Sequence, residues 1–196
     1  MISVYTKKIG GIWSGVACAG QRIFGTAFAP SKQEALRSLL SSMPFNVPFQ
    51  VSPELSAFAE SVLASVKNVY NGNGVSQRFS LATEHLSAYT RKVLDAASLI
   101  PTGYVTSYGV IAKAAGGSPR AVGRVMASNP FAPIVPCHRV ISSDFTLGGY
   151  GGGLTAKLEI LIREKRGYTS PREIPLGDKK LQVFPVEFVL RKLERE

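Results

Sequence analysis

SYGVIAKAAGGSPRAVGRVMASNPFAPIVPCHRV (residues 107–140) holds two short helical patterns followed by a run of reactive side chains. Ser107 is a reasonable N-cap, and Ile111, Ala112 and Ala115 follow it to a Gly116-Gly117 turn. Ser118 then caps a second pattern with Pro119 in its first position, where the missing N–H costs nothing. Two short helices on a tight glycine turn make a helix-turn-helix candidate whose second helix would enter DNA. Spacing alone leaves open the alternative of a helical hairpin that only packs on itself.

At the end of this stretch, Ile134 to Val140 place a thiol, an imidazole and a guanidinium side by side between apolar residues. Positive neighbours favour thiolate, so Cys137 is the candidate nucleophile. The plainer alternative is a small buried hydrophobe, which suits Cys18 in its apolar strand well. Adjacent side chains on an unbroken strand point to opposite faces, and Pro136 argues for a turn. The expected Cys137 to His138 contact therefore runs through a bridging water, with a carboxylate orienting the far ring nitrogen. Glu164 is the candidate carboxylate because it lies three and four residues after Leu161 and Ile160, near the buried face of its helix; an exposed charge in the last turn is the other reading.

Upstream, residues 11–29 read as a hairpin broken at Gly20, followed by a helix capped by Ser31. A second helix is expected from Ser52-Pro53 to about Lys67, with Leu55, Phe58, Ala59, Val62, Leu63 and Val66 at helical spacing. The Asn- and Gly-rich NVYNGNGVSQ reads as a linker. From Ser87 another helix carries Val93, Leu94, Ala97 and Ile100 to the stop at Pro101-Thr102-Gly103. Beyond the reactive cluster, residues 154–167 form an amphipathic helix burying Leu154, Leu158, Leu161 and Ile162, with Gly167 as its stop. Residues 168–196 are a C-terminal extension that reads as a closing strand or helix, or a mobile tail. The expected organisation is an N-terminal domain over 1–75 with its linker near 68–80, a helical domain over 81–167, and the extension.

Composition limits the function classes. A chain of 196 residues with 45% hydrophobic content can bury a core, and it has no apolar run of the roughly 20 residues that a membrane span needs. The N-terminal MISVYTKKIGG lacks the apolar stretch of a secretory signal, so a cytoplasmic or nuclear protein with no membrane partner is expected. Two cysteines give no disulfide framework and, with His85 the only histidine besides His138, no metal site. The net charge of +10 favours a polyanionic partner. No carboxylate falls between Asp95 and Asp144, whereas Lys113, Arg120, Arg124 and Arg139 do, so that segment meets phosphate without repulsion.

IVPCHRV, preceded by TSYG and SPRAVGRVMASNP and followed by GGYGGGL, resembles the O6-alkylguanine-DNA alkyltransferase family over roughly residues 84–167. The resemblance implies an α+β fold: an N-terminal ribonuclease-H-like α/β domain, then a mainly helical, winged-helix-like domain with a helix-turn-helix. It implies DNA repair by single-turnover alkyl transfer from O6-alkylguanine, or O4-alkylthymine, to Cys137, with His138 and Glu164 maintaining the thiolate and no cofactor. Tyr108 would bind the flipped base and protonate it on leaving, and Asn129 would brace the turn carrying Cys137. Arg120 would enter the duplex in place of the base, with Ser118, Ala121, Arg124 and Tyr108 also at the DNA. The base pocket would be formed by Arg139, Val140, Tyr150, Gly151 and Gly152, with backbone carbonyls near Cys137 and Val140 accepting from the guanine amino group. A monomer acting through the minor groove of double-stranded DNA is implied.

Two residues depart from the family's usual pattern. Gly151 stands where many relatives carry a polar side chain, and Arg124 replaces the second glycine of an AVGG motif. Two rival readings are a damage sensor that binds without transfer, in which the acceptor cysteine is replaced, and a cysteine hydrolase, which needs an oxyanion hole and no DNA-reading helix.

Overall fold

The computed structural model describes residues 1–195 and is a mixed α+β structure with two mixed sheets and seven helices. Its described residues divide into two compact units, 1–70 with 74–86 and 129–134, and 71–73 with 87–128 and 135–195.

In the first unit, β1 (Ile2–Ile9), β2 (Ile12–Ala19) and β3 (Arg22–Ala29) form an antiparallel meander. The hairpin expected around Gly20 is its β2–β3 half, and β1 is a strand that the sequence reading did not contain. Helix α1 (Lys32–Ser42) begins where Ser31 caps it and packs Leu39 against Ile2, Val4, Ala17 and Ala27. The chain then returns as β4 (Phe49–Val51), parallel to β1.

That pairing corrects the expected start of the next helix. The Ser52 N–H still donates to Val4 O at 3.0 Å, so Ser52-Pro53 continues the strand direction. Helix α2 (Ala57–Tyr70) starts later, with Ser56 Oγ accepting from the Ala59 N–H. The expected linker is helical to Tyr70, and β5 (Ser80–Leu81) adds to β3 as the other edge of the sheet.

In the second unit, α3 (Ala88–Ser98) is capped by Ser87 and leads to β6 (Tyr104–Ser107). Ser107 caps α4 (Tyr108–Ala115), Gly116 and Gly117 turn the chain at positive φ, and Ser118 caps α5 (Pro119–Ala127). After the 3₁₀ turn Cys137–Arg139 comes β7 (Val140–Ile141), then α6 (Leu154–Arg163).

Helix α6 ends at Arg163 rather than near Gly167. The N–H groups of Arg166, Gly167 and Tyr168 all donate to the Glu187 carboxylate and so cannot extend the helical ladder. Its buried residues are Lys157, Ile160 and Leu161; Leu154 and Ile162, expected in the core, are half exposed.

The expected mainly helical domain also contains a sheet. The extension left open by the sequence folds as β8 (Arg172–Leu176), β9 (Lys179–Pro185) and α7 (Val186–Leu193). Strand β9 pairs with both β8 and β6, giving the order β7-β6-β9-β8, and Val186 and Val189 join Val105, Ile141 and Leu161 in one core.

Candidate active site

Helices α4 and α5, the 3₁₀ turn and the loop before α6 enclose a cavity of about 500 Å³. Tyr108, Arg120, Cys137, Gly149, Tyr150 and Gly151 line it, so six of the residues singled out in the sequence or their direct neighbours meet at one place. The volume falls within the roughly 300–1,000 Å³ usual for small-molecule sites.

Cys137 opens the 3₁₀ turn and is only 5% exposed, so its thiol reaches the cavity from a nearly closed wall. In this tight helix successive side chains diverge by about 120°. While Cys137 faces the cavity, His138 and Arg139 turn into the protein, where both meet Glu164.

Glu164 sits at the C-cap of α6 and is fully buried. His138 Nε2 lies 2.9 Å from its Oε1, Arg139 Nε lies 3.0 Å from both oxygens, and Arg139 Nη2 lies 2.7 Å from Oε1. The Gly103 N–H donates to Oε2 at 3.3 Å. Burial pushes the Glu164 carboxyl up, but the hydrogen bonds and charges of His138 and Arg139 outweigh it and hold it at about 2. The guanidinium also donates to Ile100 O and Thr102 Oγ1, which leaves Arg139 away from the cavity wall.

Burial pushes the His138 imidazole down against the pull of Glu164, so the ring is neutral at pH 7. An ionised carboxylate only accepts, hence the ring proton sits on Nε2. Nδ1 then keeps its lone pair; it is buried and has no hydrogen-bond partner among the described residues. The residue is a base with its far nitrogen already oriented.

The two phenols differ in their partners. Tyr108 donates to Gly149 O at 3.2 Å, and burial raises it, with that hydrogen bond opposing and charge at Cys137 adding. The Tyr150 hydroxyl is buried without a partner among the described residues and is pushed well above its usual value by burial, then by charge at Cys137 and Glu164. Both remain proton donors at neutral pH. Gly148, at φ +67°, carries the loop past Tyr108, where a Cβ would come within 2.9 Å of the ring.

Lys157 was missed in the sequence. It is fully buried, and its Nζ donates to Val140 O and Leu147 O at 2.6 Å and to Gly149 O at 3.1 Å, with the rings of Tyr108 and Tyr150 each 5.9 Å away. Burial pushes the ammonium down to about 8, with charge at Cys137 opposing. One ammonium thereby ties the strand after Cys137 to the cavity loop. The Val140 carbonyl, expected to face a base, already accepts this bond. A signal did exist: Lys157, Ile160, Leu161 and Glu164 share i, i+3, i+4, i+7 spacing, so a lysine stood on the buried face.

The other expected residues spread around the site. Arg120 is exposed at the cavity rim, and Ser118 Oγ accepts from the Ala121 N–H as the cap of α5. Arg124 is exposed, while Ala121, Val140 and Gly152 lie outside the cavity lining. Asn129 belongs to the segment grouped with the first unit, where its Oδ1 accepts from the Phe131 N–H at 3.0 Å.

Residues 88–166 match the family model of the 6-O-methylguanine DNA methyltransferase DNA-binding domain. The methylated-DNA–protein-cysteine methyltransferase of Pyrobaculum aerophilum is 45% identical over 102 residues, half of this chain and 68% of that protein. The protein of the same name from Mycobacterium leprae is 42% identical over 116 residues, 58% of this chain and 68% of that one. Among solved structures, the O6-methylguanine-DNA methyltransferase of Pyrococcus kodakaraensis superposes with a TM-score of 0.65 at 31% identity, covering 84% of this chain and 99% of its own. Mycobacterium tuberculosis OGT in complex with DNA gives 0.65 at 27% identity, covering 83% and 92%. With the thiol, the neutral histidine and the buried carboxylate in one unit, the chain belongs to the methylated-DNA–protein-cysteine methyltransferase family.

Proposed function

We propose that the protein repairs O6-alkylguanine in double-stranded DNA by moving the alkyl group onto Cys137, once per molecule. The observation that carries this reading is a thiol on a cavity wall whose sequence neighbour is a neutral, carboxylate-bound imidazole with a free lone pair. The Cys137 proton passes to His138, through a bridging water, and Glu164 stabilises the imidazolium that results. Sγ attacks the alkyl carbon, the carbon–O6 bond breaks, and Tyr108 supplies the proton that the leaving guanine takes up. The product thioether resists hydrolysis, so the thiol is not regenerated.

The alkylated oxygen lies inside a stacked duplex, so reaching a thiol that is 5% exposed requires the base to leave the helix. Arg120, exposed at the rim, is the residue to fill the vacated place, with Ser118, Ala121 and Arg124 at the phosphates. The α4–turn–α5 pair acts as the helix-turn-helix, entering through the minor groove. Tyr150, Gly151 and Gly152 border the flipped base, the Val140 carbonyl uses its second lone pair for it, and Asn129 braces the 129–131 turn before Cys137. The meander followed by α1 and the parallel β4 supports a ribonuclease-H-like N-terminal domain. The chain acts as a cytoplasmic or nuclear monomer, since one thiol suffices, and its organisation is a variable domain over 1–75, the alkyltransferase domain over 81–167 and the extension.

Intact-mass spectrometry after mixing with duplex DNA containing one O6-methylguanine tests the reading. A gain of one methyl group on the native chain and none on Cys137→Ala is expected. Tight binding without a mass change would overturn it in favour of a damage sensor.

A further inference from the structure

The residues that surround Glu164 are themselves held from the C-terminal extension, beyond residue 166, where the family match ends. The Glu187 carboxylate is 9% exposed, and its Oε1 accepts three successive backbone N–H groups, from Arg166 at 3.0 Å, Gly167 at 2.5 Å and Tyr168 at 3.1 Å. Those groups follow immediately on the helix end that carries Glu164. The neighbouring Val186 N–H donates to Gly103 O at 2.9 Å, and the Gly103 N–H donates to Glu164 Oε2. The same 100–103 turn supplies Ile100 O and Thr102 Oγ1 to Arg139. Two consecutive residues at the start of α7 thus grip both the helix end and the turn between which Glu164 is set.

We infer that Glu187 is a positioning residue for alkyl transfer: through the 166–168 backbone it fixes the carboxylate that orients His138, without touching DNA or the alkyl group. A carboxylate accepting several backbone N–H groups makes strong, directional bonds, and sub-ångström looseness behind a reacting group lowers rate rather than binding. The charged and titratable groups that act on Glu164 are His138 and Arg139 from the 3₁₀ turn and Tyr150 from the preceding loop, with Lys157 of its own helix acting on His138. None of them contacts Glu187, so the effect must travel through geometry.

The inference rests on the reading of Cys137 as alkyl acceptor, and its test separates the two. Single-turnover transfer from O6-methylguanine duplex is followed against pH for the full-length chain, Glu187→Asp and Glu187→Gln, with the affinity for undamaged duplex measured in parallel. In a single turnover the amplitude reports the folded fraction and the rate constant reports the site, so partial misfolding does not blur the comparison. Asp is one methylene too short to reach all three N–H groups. It is expected to slow transfer about tenfold at neutral pH and to move the pH profile up by about one unit, with recovery at high pH and unchanged affinity. Gln keeps the Oε1 acceptor and is expected to stay within about threefold of the native rate. A native rate constant and profile for Asp, or equal losses of rate at all pH values in both variants, overturns the inference while leaving Cys137 as acceptor. No transfer by the native chain would overturn the acceptor reading itself.

Discussion

Replacing Glu164 by Gln isolates the energetics of the buried charge cluster. The change keeps the shape of the side chain but removes the charge that neutralises Arg139, which is 6% exposed, and puts an amide N–H₂ where the carboxylate accepted from His138 and Arg139. The carboxyl stands at about 2 in the folded protein against 4.5 as its ordinary value. At about 1.4 kcal/mol per unit, that difference corresponds to about 3 kcal/mol of stability. The figure agrees with the roughly 3–5 kcal/mol lost when one partner of a buried ion pair is removed. Because the folded-state value is depressed, the contribution is complete above about pH 4.5 and disappears as the pH falls towards 2. Glu164→Gln should therefore melt about 6–12 °C below the native chain at pH 7 and approach it as the pH drops through that window. Urea unfolding of both proteins from pH 7 to pH 2 measures this directly. Equal stabilities at pH 7, or a gap independent of pH, would refute the account of Glu164 as an ionised anchor.

Three further changes probe other parts of the site. Lys157→Met removes the donor to Val140 O, Leu147 O and Gly149 O; it should cost about 3 kcal/mol in urea unfolding and slow transfer, and an unchanged midpoint would count against the loop-tying role. Arg120→Ala should slow transfer from duplex DNA by about 100-fold while leaving transfer from free O6-alkylguanine unchanged, since only the duplex substrate requires a flipped base; equal loss on both would remove Arg120 from that role. Gly151→Ser should fold within about 0.5 kcal/mol of the native chain, because its Cβ would meet only Ala127 O at an ordinary 3.8 Å, and a larger fall in melting temperature would show that the loop needs glycine there.

What the sequence disclosed about this fold was mostly local chemistry. Ser31, Ser87, Ser107 and Ser118 each cap the helix that begins after them, because a short hydroxyl satisfying a free N–H is a local event. Long-range pairing was the hidden part. β1 carries Lys7 and Lys8 in its outer half and does not look like a strand until β2 pairs with it, and Ser52 is held by β1 rather than released to begin a helix. The segment from residue 168 looked like a possible tail because its prolines and charges break any period; its order comes from pairing with β6 and from Val186 and Val189 in the core. In α6 the polar residues of the buried face misled the assignment, which placed Leu154 and Ile162 inside and passed over Lys157. A helix face that serves a reaction site need not be apolar, and hydrophobic spacing reads it incorrectly for that reason.

The same logic explains why three reactive residues can be consecutive in sequence yet act in different directions. On a strand, Cys137 and Arg139 would share one face and His138 the other. The 3₁₀ turn separates all three, giving the cavity a thiol and giving Glu164 both an imidazole and a guanidinium. His138 and Arg139 together keep Glu164 ionised although it is fully buried: the His138 hydrogen bond leads, and the Arg139 guanidinium adds a permanent compensating charge and further hydrogen bonds. An ionised Glu164 in turn leaves the accepting nitrogen of His138 on the free side of the ring. In the proposed transfer, an imidazolium formed at His138 would already face a carboxylate 2.9 Å away, so no charge would have to be moved to stabilise it. The order Cys-His-Arg is therefore a mechanical arrangement as much as a chemical one: the imidazole and the guanidinium together hold the carboxylate ionised, and the carboxylate sets the tautomer of the base, whose other ring nitrogen keeps its lone pair.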